Sequence, residues 1–366
     1  MKYIAPEYMA SFKCDGKACD SYCCRDWKVV IDENTKNKYK ALPNDEAEKI
    51  LSNVGEDEYG RYFLRLNERE VCPFLGEDSL CKLQKKYGED FLSDICFSYP
   101  RVTHRIGDII QQNLTLSCPI AAKLVLFSEG VSFIETEELP KRLGWCTNLT
   151  NRLIFETYPL SLEYIEDMES AGLLLLKNSE IPINNRLASL LTFYENAEKF
   201  LDEKEKIEEL LNSVESGEFQ KNFTSNQSYD IIFENNGYLA LVLKLFSALY
   251  EFTLTDEKFT ELKKIYEARF NEFQKFVVDR NSQIFTNYLM NEFFLRIYPY
   301  AFDASFTVNA KVFVFSWEVL KFALFMLCVD KGLDEEKLIF GVRQMVQRMD
   351  HSRGAMERIL KIAKDC

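Results

Sequence analysis

Beyond about residue 155, apolar residues recur at three- and four-residue steps. That spacing predicts amphipathic helices over 184–216, 238–252, 281–298, 308–331 and 333–349. The stretch VNAKVFVFSWEVLKFALFMLCVDKG (308–332) is apolar almost throughout, yet it carries Lys311, Glu318 and Lys321. Charges near its centre would be costly in hydrocarbon, so the pattern predicts a helix buried in protein and no membrane span. No fixed-period repeat is visible, and residues 151–366 are expected to form an irregular α-helical bundle.

Residues 1–150 have a different texture of short elements and turns. RYFLRLNE (61–68) is strand-like, and CPFLGEDSLC (72–81) reads as a knuckle-like turn marked by Pro73 and Gly76. RVTHRIGDIIQQNLTL (101–116) places two β-rich runs around Gly107-Asp108, a hairpin signal. SCPIAAKLVLFSEG (117–130) predicts a helix with Ser117 as N-cap, Pro119 in the first turn and Gly130 as terminator. The expected fold class is mainly α, with a small cysteine-rich α+β domain over 1–150 and the helical domain over 151–366.

Composition adds a core and a compartment. With 366 residues, 47% of them hydrophobic, the chain can bury a substantial interior. A formal charge of −13 argues against the basic face that nucleic-acid binding needs, and a run such as EKFLDEKEKIEE (198–209) reads as a solvated helix face. The opening MKYIAPEYMASFKC has neither an apolar run nor a small-residue cleavage site, so a cytoplasmic protein is expected. In that reducing compartment the eleven cysteines gain meaning, because clustered thiols there bind metal or do chemistry more often than they form disulfides.

Eight of them fall in the first third: Cys14, Cys19, Cys23, Cys24, Cys72, Cys81, Cys96 and Cys118. These eight are the candidate metal ligands and are expected to converge in space. His104 and His351 are the only histidines, which excludes a Cys2His2 finger. Two four-cysteine zinc sites, or an iron–sulfur cluster on four thiolates, both suit the supply, and the spacing does not choose between them. Cys118, at a helix N-terminus, is expected to favour the thiolate. Adjacent Cys23 and Cys24 are expected to diverge, one binding the cluster and the other facing a second site or the core. Cys328 reads as a small core residue, Cys146 as a weak further candidate ligand, and Cys366 as a frayed end.

The succession YIAPEYMASFKC…C…CC…W (3–27), VCPFLGEDSLCKLQKKYGEDFLSDICFSYPR (71–101) and LTLSCPIAAKL (114–124) resembles the flagellin lysine-N-methylase family of the FliB type. The likeness spans residues 1–130, and the CPFL…C segment is also similar to a wider group of cysteine-cluster proteins that bind zinc or iron–sulfur. The FliB-type resemblance implies methyl transfer from S-adenosylmethionine to lysine side chains of flagellin, with a [4Fe–4S] cluster in the enzyme. The residues add a constraint: no G-x-G cradle is present, and Cys19-x3-Cys23 is followed at once by Cys24 rather than by the C-x3-C-x2-C spacing of standard radical enzymes. A lysine nitrogen, with a reference pKa of about 10.4, must lose a proton before it attacks. Asp94, Tyr99 and His104 flank Cys96; Tyr99 and His104 are the candidate catalytic groups, and Arg101 is the candidate holder of a cofactor carboxylate. Trp27 is expected to wall off the cluster. The competing reading is a zinc- or cluster-stapled protein-binding module without catalytic activity.

Overall fold

A computed structural model describes residues 1–15, 19, 22–25, 27–150, 162–221, 237–251, 255–279, 281–328 and 332–366. The chain divides into two compact units: residues 1–121 with 133–149, and residues 122–132 with 150–366. The eleven-residue segment 122–132 therefore belongs with the helical part, although it lies inside the first 150 residues.

Among its described residues the first unit contains eight short strands: β1 (Lys2–Pro6), β2 (Val30–Ile31), β3 (Val54–Glu56), β4 (Tyr62–Leu64), β5 (Arg101–Ile106), β6 (Ile109–Leu114), β7 (Phe133–Thr136) and β8 (Cys146–Asn148). Five form one sheet in the order β7-β1-β6-β5-β8, and three form another in the order β2-β4-β3. The expected hairpin is β5–β6, and Gly107 takes the positive φ of 57° that its tight turn requires. β1 lies between β6, to which it runs parallel, and β7, to which it runs antiparallel. Its Tyr3 and Ala5 are buried on one face, and the Tyr3 hydroxyl donates to Gln112 Oε1 at 3.0 Å.

The smaller sheet packs with the helix Glu33–Lys40 in a core built on Val29, Ile31, Tyr39, Ile50, Leu64 and Leu83. Asp32 caps that helix, accepting the Thr35 backbone N–H at 2.8 Å, and it also accepts the Asp94 N–H at 2.9 Å. A single carboxylate thus starts one helix and anchors the segment that bears Cys96. The helix expected over 117–130 is Pro119–Leu126, which ends four residues before Gly130.

The regular elements described in the second unit are all helices. The periodic run 184–216 is broken: helices Ile183–Lys199 and Lys204–Glu215 are separated by a turn in which Glu203 N donates to Phe200 O at 2.8 Å. Tyr238–Tyr250, Ser282–Leu295, Phe306–Cys328 and Glu335–His351 follow the expected periodicity. Helices Ile165–Lys177, Asp256–Phe273 and Arg353–Asp365 complete the larger elements.

Phe306–Cys328 is the apolar run whose charges spoke against a membrane span, and two of them, Glu318 and Lys321, are paired inside protein. Lys321 Nζ lies 2.8 Å from Glu318 Oε1, and the Tyr238 hydroxyl donates to the other carboxylate oxygen. The ammonium also faces the rings of Phe270 and Tyr238 at 5.6 and 5.7 Å. Among the described residues, no helix is long and apolar enough to cross a membrane.

Candidate functional site

All eight N-terminal cysteines line one cavity in the first unit. Short, tightly turned segments deliver them. Cys23 and Cys24 lie on the 3-10 turn Tyr22–Cys24, and Cys24 O accepts the Cys72 N–H at 2.8 Å, which joins two loops far apart in sequence. Cys72 opens the expected knuckle, where Gly76 N donates to Leu80 O at 2.8 Å, and Cys81 closes it just before the helix Lys82–Tyr87. Cys96 is on the helix Asp94–Ser98, and Cys118 directly precedes the helix Pro119–Leu126.

The hydrogen bonds to the sulfurs divide them. Cys72 accepts backbone N–H bonds from Phe74 and Leu75, Cys81 from Leu83 and Gln84, and Cys118 from Ile120 and Ala121. Cys96 is bonded by the Ser93 side chain. Such donors favour the thiolate. Burial opposes them and wins: it pushes Cys72 up to about 11 and Cys96 and Cys118 up to about 12, and it raises Cys81 as well. Cys14 is pushed to about 11, first by burial and then by neighbouring thiols. The expectation that the helix dipole makes Cys118 a thiolate is therefore corrected, because desolvation exceeds the two N–H bonds at its sulfur.

Cys23 and Cys24 also differ from expectation. Their sulfurs lie 3.9 Å apart and face the same cavity. The alternation that separates neighbours in a strand does not hold on a one-turn 3-10 segment, where side-chain rotation brings them together.

Among the other candidates, Tyr99 and Arg101 line the cavity and His104 does not. Arg101 and His104 sit an odd number of residues apart on β5, so they emerge on opposite faces of the sheet. The Tyr99 hydroxyl is 3.3 Å from Ser117 Oγ. The Arg101 guanidinium lies over the rings of Phe97 and Phe12 at 4.9 and 5.1 Å and donates to Phe97 O at 3.0 Å. Trp27 lines the cavity, its Nε1 donating to Cys23 O at 2.9 Å. Asp94 is engaged by Arg142 at 2.8 Å. Cys146 is exposed on β8 and lies outside the lining, whereas Cys328 is buried in its helix as expected.

Two lining residues escaped the sequence reading. Glu89 brings a carboxylate, its Oε1 3.8 Å from the Arg101 guanidinium, and no local pattern marks it. Ser93, which also accepts the Cys96 N–H at 3.3 Å, was legible as the N-cap in SDIC.

Comparison with known proteins fixes the family. Residues 171–366 match the FliB lysine N-methylase C-terminal domain. This chain belongs to the FliB lysine N-methylase family. It is 32% identical over 127 residues to the flagellar biosynthetic protein FliU of Salmonella muenchen, a match covering 33% of this chain and 75% of FliU. The same identity and length relate it to a lysine-N-methylase of Salmonella typhimurium, of which 31% is covered. No solved structure matches the chain. The FliB-family domain match lies in the helical unit, so it contains none of the cysteines that line the cavity.

The donor set suits a thiolate-bound group in kind and number: eight soft ligands in one cavity, four with hydrogen bonds already directed at the sulfur. Among the described residues, no three His, Cys, Asp or Glu side chains are already spaced as a metal site. The fit lies in the chemistry of the sulfurs and in the loops that gather them.

Proposed function

We propose that this protein transfers methyl groups from S-adenosylmethionine to lysine side chains of flagellin in the cytoplasm, with a [4Fe–4S] cluster held in the cysteine cavity. The observation that carries the reading is the convergence of eight thiols with Arg101 and Tyr99 on one cavity, in a chain of the FliB lysine N-methylase family. Cys72, Cys81, Cys96 and Cys118 are the four we assign to the cluster, because their sulfurs accept hydrogen bonds as a ligating thiolate does. When bound, the cluster supplies cationic iron that keeps those sulfurs ionised and an electron-accepting centre beside the reactants.

The chain's own groups then have separable tasks. Arg101, braced between two rings and a carbonyl, offers its guanidinium to the carboxylate of the methyl donor. Glu89 offers a carboxylate to the incoming lysine ammonium. Tyr99, paired with Ser117, offers its hydroxyl oxygen as a hydrogen-bond acceptor to that ammonium, and the proton the lysine must lose passes to the Glu89 carboxylate. Trp27 and the apolar wall around Val29, Ile31 and Leu64 exclude water.

The test is anaerobic incubation with isotopically labelled S-adenosylmethionine and flagellin from the same source, followed by mass spectrometry for methyl-lysine. Label on flagellin lysines, lost with Arg101→Ala, is the expected result. Unlabelled flagellin from a chain with a full complement of metal would overturn the methyl-transfer reading and leave a stapled binding module. A colourless preparation carrying zinc would overturn the iron–sulfur assignment alone.

A further inference from the structure

Cys23 and Cys24 differ from the four sulfurs assigned to the cluster, because each is the other's sulfur neighbour at 3.9 Å. Both are partly exposed, so a small oxidant can reach them. The carbonyl between them, Cys23 O, is held by Trp27 Nε1 at 2.9 Å, and Cys24 O is held by the Cys72 N–H at 2.8 Å. Both carbonyls are thereby hydrogen-bonded, which fixes the backbone that carries the two neighbouring sulfurs. We infer that Cys23 and Cys24 are a modification site: a thiol pair that hydroperoxides close into a vicinal disulfide and that dithiols reopen.

The chemistry balances without any other group. One sulfur attacks a peroxide oxygen, the O–O bond breaks, and a sulfenic acid and hydroxide result. The neighbouring thiol displaces the sulfenic oxygen, forming the S–S bond. Two thiols have then lost two electrons and two protons, and hydrogen peroxide has become two waters. Adjacent Cα atoms stand about 3.8 Å apart, short of the ~4.4–6.8 Å that relaxed disulfides span. The bond is accordingly strained and easily reduced, which suits a reversible switch better than a permanent crosslink. Closure would take two thiols out of the cavity and tie down the loop that carries them. The inference does not depend on the methyl-transfer reading, since it concerns only these two sulfurs and an oxidant.

The full-length chain provides its own assay. Cleavage after Lys17 and Arg25 releases ACDSYCCR (18–25), which contains Cys19, Cys23 and Cys24. The chain, as isolated and after chelator treatment, is exposed to hydrogen peroxide, alkylated, digested and sequenced by fragmentation. The expected product is two hydrogens lighter than the reduced peptide, alkylated only at Cys19, with no fragment separating Cys23 from Cys24, and restored by dithiothreitol. Cys23→Ser and Cys24→Ser should each abolish the two-hydrogen loss, and Cys19→Ser should retain it. A bridge mapped to Cys19 or to another peptide, a loss that survives either serine change at the pair, or no loss in either preparation would overturn the inference. Fragmentation of the unaltered chain locates the bond even where a variant fails to fold.

Discussion

The two units bury cysteine equally deeply and use it in opposite ways. Cys328 in the helical unit is 6% exposed, and Cys72 and Cys118 in the sheet unit are 7% and 6% exposed. Burial alone does not distinguish them. Cys328 donates its S–H to Leu324 O one turn back, at 2.8 Å, as a buried neutral thiol does. Cys72 and Cys118 instead line a cavity with six other cysteines. What separates them is their company: Cys328 is packed among helix residues, whereas Cys72 and Cys118 share a cavity with other thiols. The same contrast holds for other polar groups: the helical unit buries Lys321 against Glu318, whereas the sheet unit gathers its thiols around a cavity.

The largest effect expected from this contrast is all-or-none. Cys72→Ser and Cys118→Ser should lose bound metal and methyl transfer together, while Cys328→Ser should keep the metal-to-chain ratio of the unaltered protein. Metal analysis of the three variants checks this, and equal losses in all of them would erase the distinction. Next in size is Lys321→Ala, which strands Glu318 in the core and should cost about 3–5 kcal/mol in denaturant unfolding while leaving metal content per folded chain unchanged.

A smaller cost falls on the sheet unit. Asp32→Ala removes the cap of Glu33–Lys40 and the acceptor of the Asp94 N–H, and should cost about 1–2 kcal/mol. Because Asp32 also anchors the Cys96 segment, metal affinity should fall as well, and titration with a competing chelator would show it.

The last effect is a pH dependence in the helical unit. Glu292 and Asp350 share the single guanidinium of Arg296, at 3.0 and 2.8 Å. Burial, opposed by Arg296, pushes Glu292 from 4.5 up to about 7. The folded chain therefore holds that proton more tightly than the unfolded chain does. Its contribution to stability is complete below about 4.5 and is lost as pH rises through about 7. Glu292→Gln should flatten this part of the profile, and melting temperatures of both proteins from pH 5 to 8 measure it.

Much of the helical unit was legible because one apolar stripe per helix leaves a local, periodic trace. The break at 200–203 was not, since acidic and apolar residues there continue the period while the chain turns. The β5–β6 hairpin was legible from Gly107-Asp108, whereas β1 was not, because its partners β6 and β7 lie more than a hundred residues away. In the site, the thiols announced themselves by number and crowding. Glu89 did not, since an exposed acid among others carries no local signal of what it faces.

By itself, the sequence determined the helix-rich class, the location of the thiols in the first third and the unsuitability of 308–332 for a membrane, because each follows from local period, composition or charge. Only the tertiary structure decided that eight thiols from distant loops share one cavity, that Arg101 faces it while His104 does not, and that burial overrides the helix dipole at Cys118. Those outcomes depend on strand register, on which face a residue occupies and on how much water is excluded, and these exist only once separated segments have packed together.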